Sequence, residues 1–205
     1  MALSRSGPLW PYSGLGTSTS GSGASWIGND ALLRLVVSWL LDMSDFPSRV
    51  RRMLGASLLD VLPDAVPPTV EVSRETIVDV LRSLRDDPET AFDTLLDLCG
   101  ADHLGQGRPG RYAVVYHLFS FRHRALLRVR AWLPEDAPEI DSATLLWPAA
   151  NWAEREAYDM YGIRFRGHPN LTRILLPDTY EGHPLRKDYP LQGRGERDRF
   201  PRYIP

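Results

Sequence analysis

Cysteine is almost missing from this chain, with one residue, Cys99, in 205. That excludes an internal disulfide, a thiolate-ligated zinc site and an iron–sulfur cluster held by this chain alone, since each needs several sulfurs. If the protein works in electron transfer, something else holds the cluster. The lack of a disulfide framework is compatible with a reducing compartment. Lysine is nearly as scarce, Lys187 being the only one among 24 basic residues. An excess of one charge is missing too: 24 basic against 26 acidic residues leave a net of −2, so no field of the whole chain gathers nucleic acid or anionic lipid. Nor is there a long hydrophobic run. The most apolar stretch, residues 31–41, contains Arg34, whereas a membrane span needs about 20 apolar residues. The chain is not expected to cross a bilayer, and attachment to a membrane through a partner, which leaves no hydropathy trace, stays open. Residues 1–29 carry one charge, Arg5, and thirteen glycines or serines, without the apolar region of a secretion signal, and read as a flexible tail.

What is present reads as one domain with tails. Asn29 or Asp30 can cap a helix with Leu32, Leu33, Val36, Val37, Leu40 and Leu41 on one stripe, ended by Phe46-Pro47. Residues 48–62 read as a second helix with Val50, Leu54, Leu58 and Val61 on one face, after which Pro63, Pro67 and Pro68 mark a linker or boundary. Residues 69–72 form a short strand, and Ser73 caps a helix that turns Ile77, Val80, Leu81 and Leu84 inward before Asp86-Asp87-Pro88 closes it. Residues 92–99 fit helix or strand. Residues 111–121 and 125–133 are strands of a hairpin turning at Arg122-His123-Arg124. Its Arg122, Arg124, Arg128 and Arg130 make a basic face that reads as solvated or salt-bridged rather than phosphate-binding.

The expected fold class is therefore α+β: a small mixed sheet including an antiparallel hairpin, packed by amphipathic helices and followed by an extended C-terminal strap. The expected segments are the Gly/Ser-rich tail at 1–29, a helical N-terminal segment at 30–68, an α/β domain with the hairpin at 69–141, and a motif helix with a partner-binding strap at 142–205.

The chemistry gathers in the last segment. Asn151-Trp152-Ala153-Glu154 has the capping-box layout, which starts a helix at Trp152 that runs to Tyr161 and stops at Gly162. On it Arg155 and Asp159 are spaced to pair. Glu154, Glu156, Asp159, His168 and His183 are ligand types for a divalent metal or an acid–base pair. Spacing favours a structural ion network instead: Glu154 and Glu156 point about 200° apart on a helix, and no HxxxH, HExxH or DxD pattern occurs. From Ile163 the chain reads as a strap anchored by Phe165, Leu171, Ile174, Leu175 and Leu176. Its later part, Pro184-Leu185-Arg186-Lys187-Asp188-Tyr189-Pro190, cannot be regular helix or sheet and must satisfy its backbone against its own domain or a partner.

The segments Glu154-Arg155-Glu156, Asp159-Met160-Tyr161-Gly162-Ile163, Gly167-His168-Pro169-Asn170-Leu171 and Glu181-Gly182-His183-Pro184-Leu185-Arg186-Lys187-Asp188-Tyr189-Pro190-Leu191 resemble the C-subunit family of bacterial proton-translocating NADH:quinone oxidoreductase, respiratory complex I. The likeness is strong over residues 142–193 and reaches back to about residue 69. It implies a non-redox core subunit of the peripheral arm, on the cytoplasmic side of the membrane, with no catalytic, cofactor-binding or metal residue of its own. FMN, iron–sulfur clusters and quinone then belong to partner subunits, which agrees with the single cysteine and the missing Gly-rich dinucleotide loop. Implied partners are the D subunit of the quinone pocket, which the strap embraces, and the cluster-bearing B and I subunits, with no nucleic acid. Glu154, Arg155, Glu156, Asp159, His168, Arg173, His183, Arg186, Lys187 and Asp188 are the implied partner-interface residues. Two alternatives stand beside this: the equivalent subunit of a membrane-bound hydrogenase or other quinone-linked dehydrogenase, and a stand-alone metal-dependent hydrolase using Glu154, Asp159, His168 and His183.

Overall fold

A five-stranded sheet is the frame on which the strap is hung. The computed structural model describes residues 46–195. Helix α1 (Phe46–Leu54) leads through a 3-10 turn into strand β1 (Leu58–Leu62), and β2 (Thr69–Val72) precedes helix α2 (Ile77–Asp86). Three long strands follow, β3 (Thr94–Asp102), β4 (Tyr112–Ser120) and β5 (Ala125–Leu133), then β6 (Glu139–Asp141), helix α3 (Ala150–Tyr161) and β7 (Arg164–Arg166). The sheet order is β1-β2-β5-β4-β3. All neighbours are antiparallel except β2 and β5, which run parallel with Val70 beside Val129. The mixed sheet with its antiparallel hairpin is the α+β fold expected.

Alternation builds the core. On β4, Tyr112, Val114, Tyr116 and Leu118 are fully buried, and on β5 Leu127, Val129, Ala131 and Leu133 face the same way. Helix α2 lays Ile77, Val80, Leu81 and Leu84 on that face. The opposite face carries cross-strand polar pairs: Arg130 donates to Glu71 at 3.1 Å, and Arg128 donates to His117 at 3.0 Å. Two of the hairpin's arginines thus lie in an internally paired face.

Several local expectations are corrected. The helix expected over 48–62 ends at Leu54, because Gly55 turns the backbone into the left-handed region at φ +50° and Leu58–Leu62 continue as a strand. Pro63, Pro67 and Pro68 lie in the connection between β1 and β2, two strands of one sheet. Phe46-Pro47 opens helix α1, while the helix expected at 30–41 and the tail at 1–29 fall outside the described residues. Ser73 stands before the turn leading into α2, but its hydroxyl bonds Glu75 and makes no cap bond. Residues 105–110 do spell a Gly-x-Gly-x-x-Gly loop, contrary to the reading that none is present; it joins antiparallel β3 to β4, with no helix after it to receive a pyrophosphate.

Helix α3 packs on the core face at β3. The contact is possible because residue 100 is glycine: a Cβ there would stand 2.7 Å from a Tyr161 ring carbon and 3.2 Å from Ile163. Just beyond the helix, β7 pairs parallel with β6, setting buried Phe165 beside buried Ile140. Gly100→Ala is expected to lower unfolding free energy by about 1–3 kcal/mol through overpacking. Urea denaturation measures this, and an unchanged midpoint would mean that the α3–β3 seam has slack.

Candidate functional site

Helix α3 is started by the chain before it. Ala150 N–H donates to Trp147 O at 3.0 Å and Asn151 N–H to Pro148 O at 3.1 Å, so the helix begins at Ala150 and Asn151 already lies in its first turn. The expected capping box is therefore not made. Glu154 turns inward instead, fully buried, and accepts from Ser142 Oγ at 2.7 Å and from Ala143 N–H at 2.7 Å. No cation pairs with it among the described residues, and burial pushes its carboxyl up to about 7 against those two hydrogen bonds. The C-terminal end follows expectation: Gly162 takes the left-handed conformation at φ +76°.

The strap folds back onto this helix through Asp159. Its buried carboxylate takes Arg173 Nη1 at 2.6 Å on Oδ1, while Oδ2 accepts three consecutive amides, Ile174 at 3.0 Å, Leu175 at 2.8 Å and Leu176 at 3.0 Å. Burial works to raise the Asp159 carboxyl, but the three amides and Arg173 outweigh it and hold it below the ordinary range. Arg173 also donates to Gly182 O at 3.1 Å, and His183 Nδ1–H donates to the Asp159 carbonyl at 2.9 Å. One residue thus ties down strap positions 173–176 and 183 directly and 182 at one remove, through Arg173.

Arg155 is a second tie. It does not pair with Asp159 as the four-residue spacing suggested: its Nε donates to Thr172 O at 3.1 Å, and Nη2 reaches Thr172 Oγ1 at 3.0 Å and Arg173 O at 3.1 Å. Strap carbonyls that belong to no helix or sheet draw it more than a carboxylate already saturated. His168 accepts from Asn170 N–H on Nδ1 at 3.0 Å, which leaves Nε2–H to donate to Asn151 O at 3.1 Å. Arg186 donates from Nε to Tyr161 O at 2.6 Å and lies over the Tyr112 ring.

A third tie was not anticipated. Asp102, at the end of β3, accepts from Arg111 Nε at 3.2 Å and Nη2 at 3.1 Å, and from the amides of Leu104 and Lys187 at 2.9 and 2.8 Å. Arg111 also pairs with Asp188 at 2.7 Å and with Glu135 at 2.7 Å. So Lys187 docks by its backbone, not its charge, and its side chain is exposed. Asp102 and Arg111 flank the β3–β4 loop, and only the strand register, which brings Asp102 opposite Tyr112, makes them neighbours. No motif signals that.

The ten expected interface residues therefore divide. Asp159, Arg173, Arg155, His183, Arg186 and Asp188 hold the strap to its own domain, His168 closes the loop after β7, and Glu154 is internal. Glu156 and the Lys187 side chain remain exposed. Among the anchors, Phe165 is buried but Leu175 is 61% exposed. Among the described residues no three His, Cys, Asp or Glu side chains gather as a metal site requires, and of the four named for a hydrolase only Asp159 and His183 meet, through the Asp159 main-chain carbonyl rather than its carboxylate.

Asp159→Asn keeps the size but removes the charge and one acceptor. It is expected to cost about 2–3 kcal/mol and to make residues 170–190 the first target of limited proteolysis; unchanged cleavage would disprove the clasp. Glu154 gives a pH dependence of defined sign. Its folded pKa lies above its ordinary value of 4.5, so its contribution is full below about 4.5, declines as pH rises, and is lost above about 7. The loss is on the order of 3 kcal/mol. Thermal melting of the chain between pH 5 and 8 should therefore be steeper in pH than that of Glu154→Gln, whose amide oxygen accepts from Ala143 and whose amide nitrogen donates to Ser142; parallel profiles would contradict the assignment.

Known proteins resemble this chain in sequence and in fold. Residues 70–195 match the model of a family described as "Respiratory-chain NADH dehydrogenase, 30 Kd subunit". A protein of Roseiflexus sp. (strain RS-1), named as the C subunit of NADH-quinone oxidoreductase, is 48% identical over 151 residues, 74% of this chain and 86% of the relative. One of the same name from Citrifermentans bemidjiense is 49% identical over 145 residues, 71% of this chain and 88% of the relative. A chain in the structure of a membrane-bound sulfane sulfur reductase, an archaeal respiratory membrane complex, superposes with a TM-score of 0.61 at 20% identity, covering 78% of this chain and 98% of that one. At that identity the likeness is one of fold.

Proposed function

This chain belongs to the 30 kDa subunit family of respiratory-chain NADH dehydrogenases, and from that membership we propose that it is the C subunit of an NADH:quinone oxidoreductase, a non-redox structural component of the peripheral arm. The enzyme's chemistry belongs to the assembly, in which electrons pass from NADH through FMN and iron–sulfur clusters to quinone with coupled proton translocation. The isolated chain catalyses nothing. The observation that carries this reading is the strap: Arg173, Arg186 and Asp188 are engaged, with Arg155 and Asp159 of α3 and Arg111 of the sheet, in fixing an irregular segment of backbone, which is the work of a scaffold presenting a shaped surface.

FMN, clusters and quinone are assigned to other subunits, and one cysteine supports that assignment, because a cluster takes four thiolates. The D subunit is the proposed occupant of the strap side, with the cluster-bearing B and I subunits nearby. No helix of the described residues is long and apolar enough to cross a membrane, which accords with peripheral attachment on the cytoplasmic side through those partners. Relatives at nearly half identity bear the NADH–quinone name, and this favours that enzyme over a hydrogenase or another quinone-linked dehydrogenase.

The test is an affinity pull-down of the natively expressed chain from gently solubilised membranes, with mass spectrometry and an NADH-oxidation assay. Cluster-bearing and NADH-binding subunits should accompany it with activity; recovery of the chain alone would end the proposal. Exposed Glu156 sharpens the test. Glu156→Ala should leave the melting temperature of the chain unchanged and reduce the amount of assembled complex, with cofactor content per assembled particle unaltered. Arg155→Ala should lower both assembly and melting temperature, since Arg155 holds Thr172 and Arg173.

A further inference from the structure

The sheet face turned away from the helices is uneven. Its middle is polar and paired within itself, through Arg130 with Glu71 and through Arg128 with His117, whose ring stands 3.5 Å from Asp97. Its hairpin end is apolar. Phe119 on β4 lies opposite Leu126 on β5, which is 41% exposed, and Phe121 stands edge-on to Phe119 at 4.9 Å and is 68% exposed. On the neighbouring strand a bulge between Leu95 and Asp97 sets Leu96 aside at 56% exposure. Single apolar side chains are ordinary on a surface, whereas four on three adjacent strands mark a contact. Asp102 and Arg111, where the strap is tied, lie at the other end of these nine-residue strands, about 30 Å away.

Charge and size say what covers this end. Arg122, next to Phe121 in the turn, is exposed and has no ion-pair partner among the described residues, so a complementary occupant brings a carboxylate. Three strands about 4.8 Å apart make a strip about 10 Å wide, the width of one helix. The apolar area left to solvent is on the order of a few hundred Å², short of the roughly 800 Å² a side that a stable dimer buries. A membrane would meet the whole end of the sheet. There His123 bonds Pro88 O at 3.0 Å, which holds the exposed carboxylates of Glu89 and Asp93 near the turn on the helix side, where anionic lipid repels them. A helix laid on the open face comes from the opposite side. So small an area holds no partner alone; it serves a chain tethered elsewhere in the same assembly, for which the contact is effectively intramolecular.

We propose that the hairpin end of this open face is a docking surface separate from the strap, which receives one amphipathic helix of another chain, with its apolar stripe on Phe119, Phe121 and Leu126 and an Asp or Glu on Arg122. The inference rests on the complex-subunit reading for the tether, and adds a second place of contact at the far end of the sheet and the kind of element that fills it.

The experiment places a photo-crosslinking amino acid at Phe121 or at Leu126 of the full chain, expressed in its native host, and recovers the complex through a tag on this chain. Linked peptides are sequenced by mass spectrometry. Both positions should link to one other chain, at apolar residues three, four or seven apart, with an Asp or Glu within one helical turn. Arg122→Glu should lower the linked fraction about tenfold, and Arg122→Lys should restore it. Neither variant should move the chain's melting temperature, since Arg122 is exposed without an ion-pair partner among the described residues. An intact complex with no such link, or links to lipid, to a second copy or within this chain, would overturn the docking surface and leave the complex-subunit reading standing. If the chain is recovered without any other subunit, that reading falls and the docking surface with it.

Discussion

A carboxylate that accepts three successive backbone amides is the constraint on which the strap depends. Residues 174–176 belong to no helix or sheet, so their N–H groups need acceptors from elsewhere, and an unpaired buried amide is costly. Asp159 Oδ2 supplies all three from a rigid helix, with Arg173 balancing the charge on Oδ1. Length matters here as well as charge: Asp holds its oxygens close to the α3 backbone, and the same residue's carbonyl takes His183. The position of the chain from Arg173 to His183 is thereby referred to one turn of α3.

The second half of the strap is referred to the sheet by the same device. Asp102 accepts two backbone amides, Leu104 from its own loop and Lys187 from the strap, while Arg111 compensates its charge and holds Asp188. Burial works to raise Asp102, and Arg111 with the two amides outweighs it and keeps the carboxyl low. Asp188 is likewise held low by Arg111. In both places a buried aspartate with an arginine beside it converts irregular backbone into fixed structure. Glu154 is the contrasting case, buried without a cation and therefore raised rather than lowered.

Much of the frame was legible in the sequence because period two and period 3.6 leave different traces. The β4–β5 hairpin, the inward residues of α2 and the glycine stop of α3 all follow from such patterns. Strand β1 was misread because Val50, Leu54, Leu58 and Val61 keep helical spacing across Gly55, whose positive φ breaks the helix. The capping box and the Arg155–Asp159 pair failed for a common reason. Local spacing only makes such contacts possible, and here each carboxylate had better-placed donors from distant residues, Ser142 and Ala143 in one case and the strap amides in the other. An acid C-terminal to its base at this spacing is also the less favourable orientation on a helix. The segment's importance was visible; whether its charges faced inward or outward required the sheet register that makes Asp102 and Arg111 neighbours.

The parallel pairing of β2 with β5 has a consequence for how the chain is made. The β1–β2 pair leaves the ribosome first, yet its place in the sheet is beside β5, which follows about sixty residues later, or roughly 3–12 seconds at ordinary rates of synthesis. Through that interval Val70 and Val72, which end up fully buried, have no sheet to enter. The nascent chain therefore carries an unsatisfied apolar strand past the point where its sequence is complete, and closure of the sheet waits for β5.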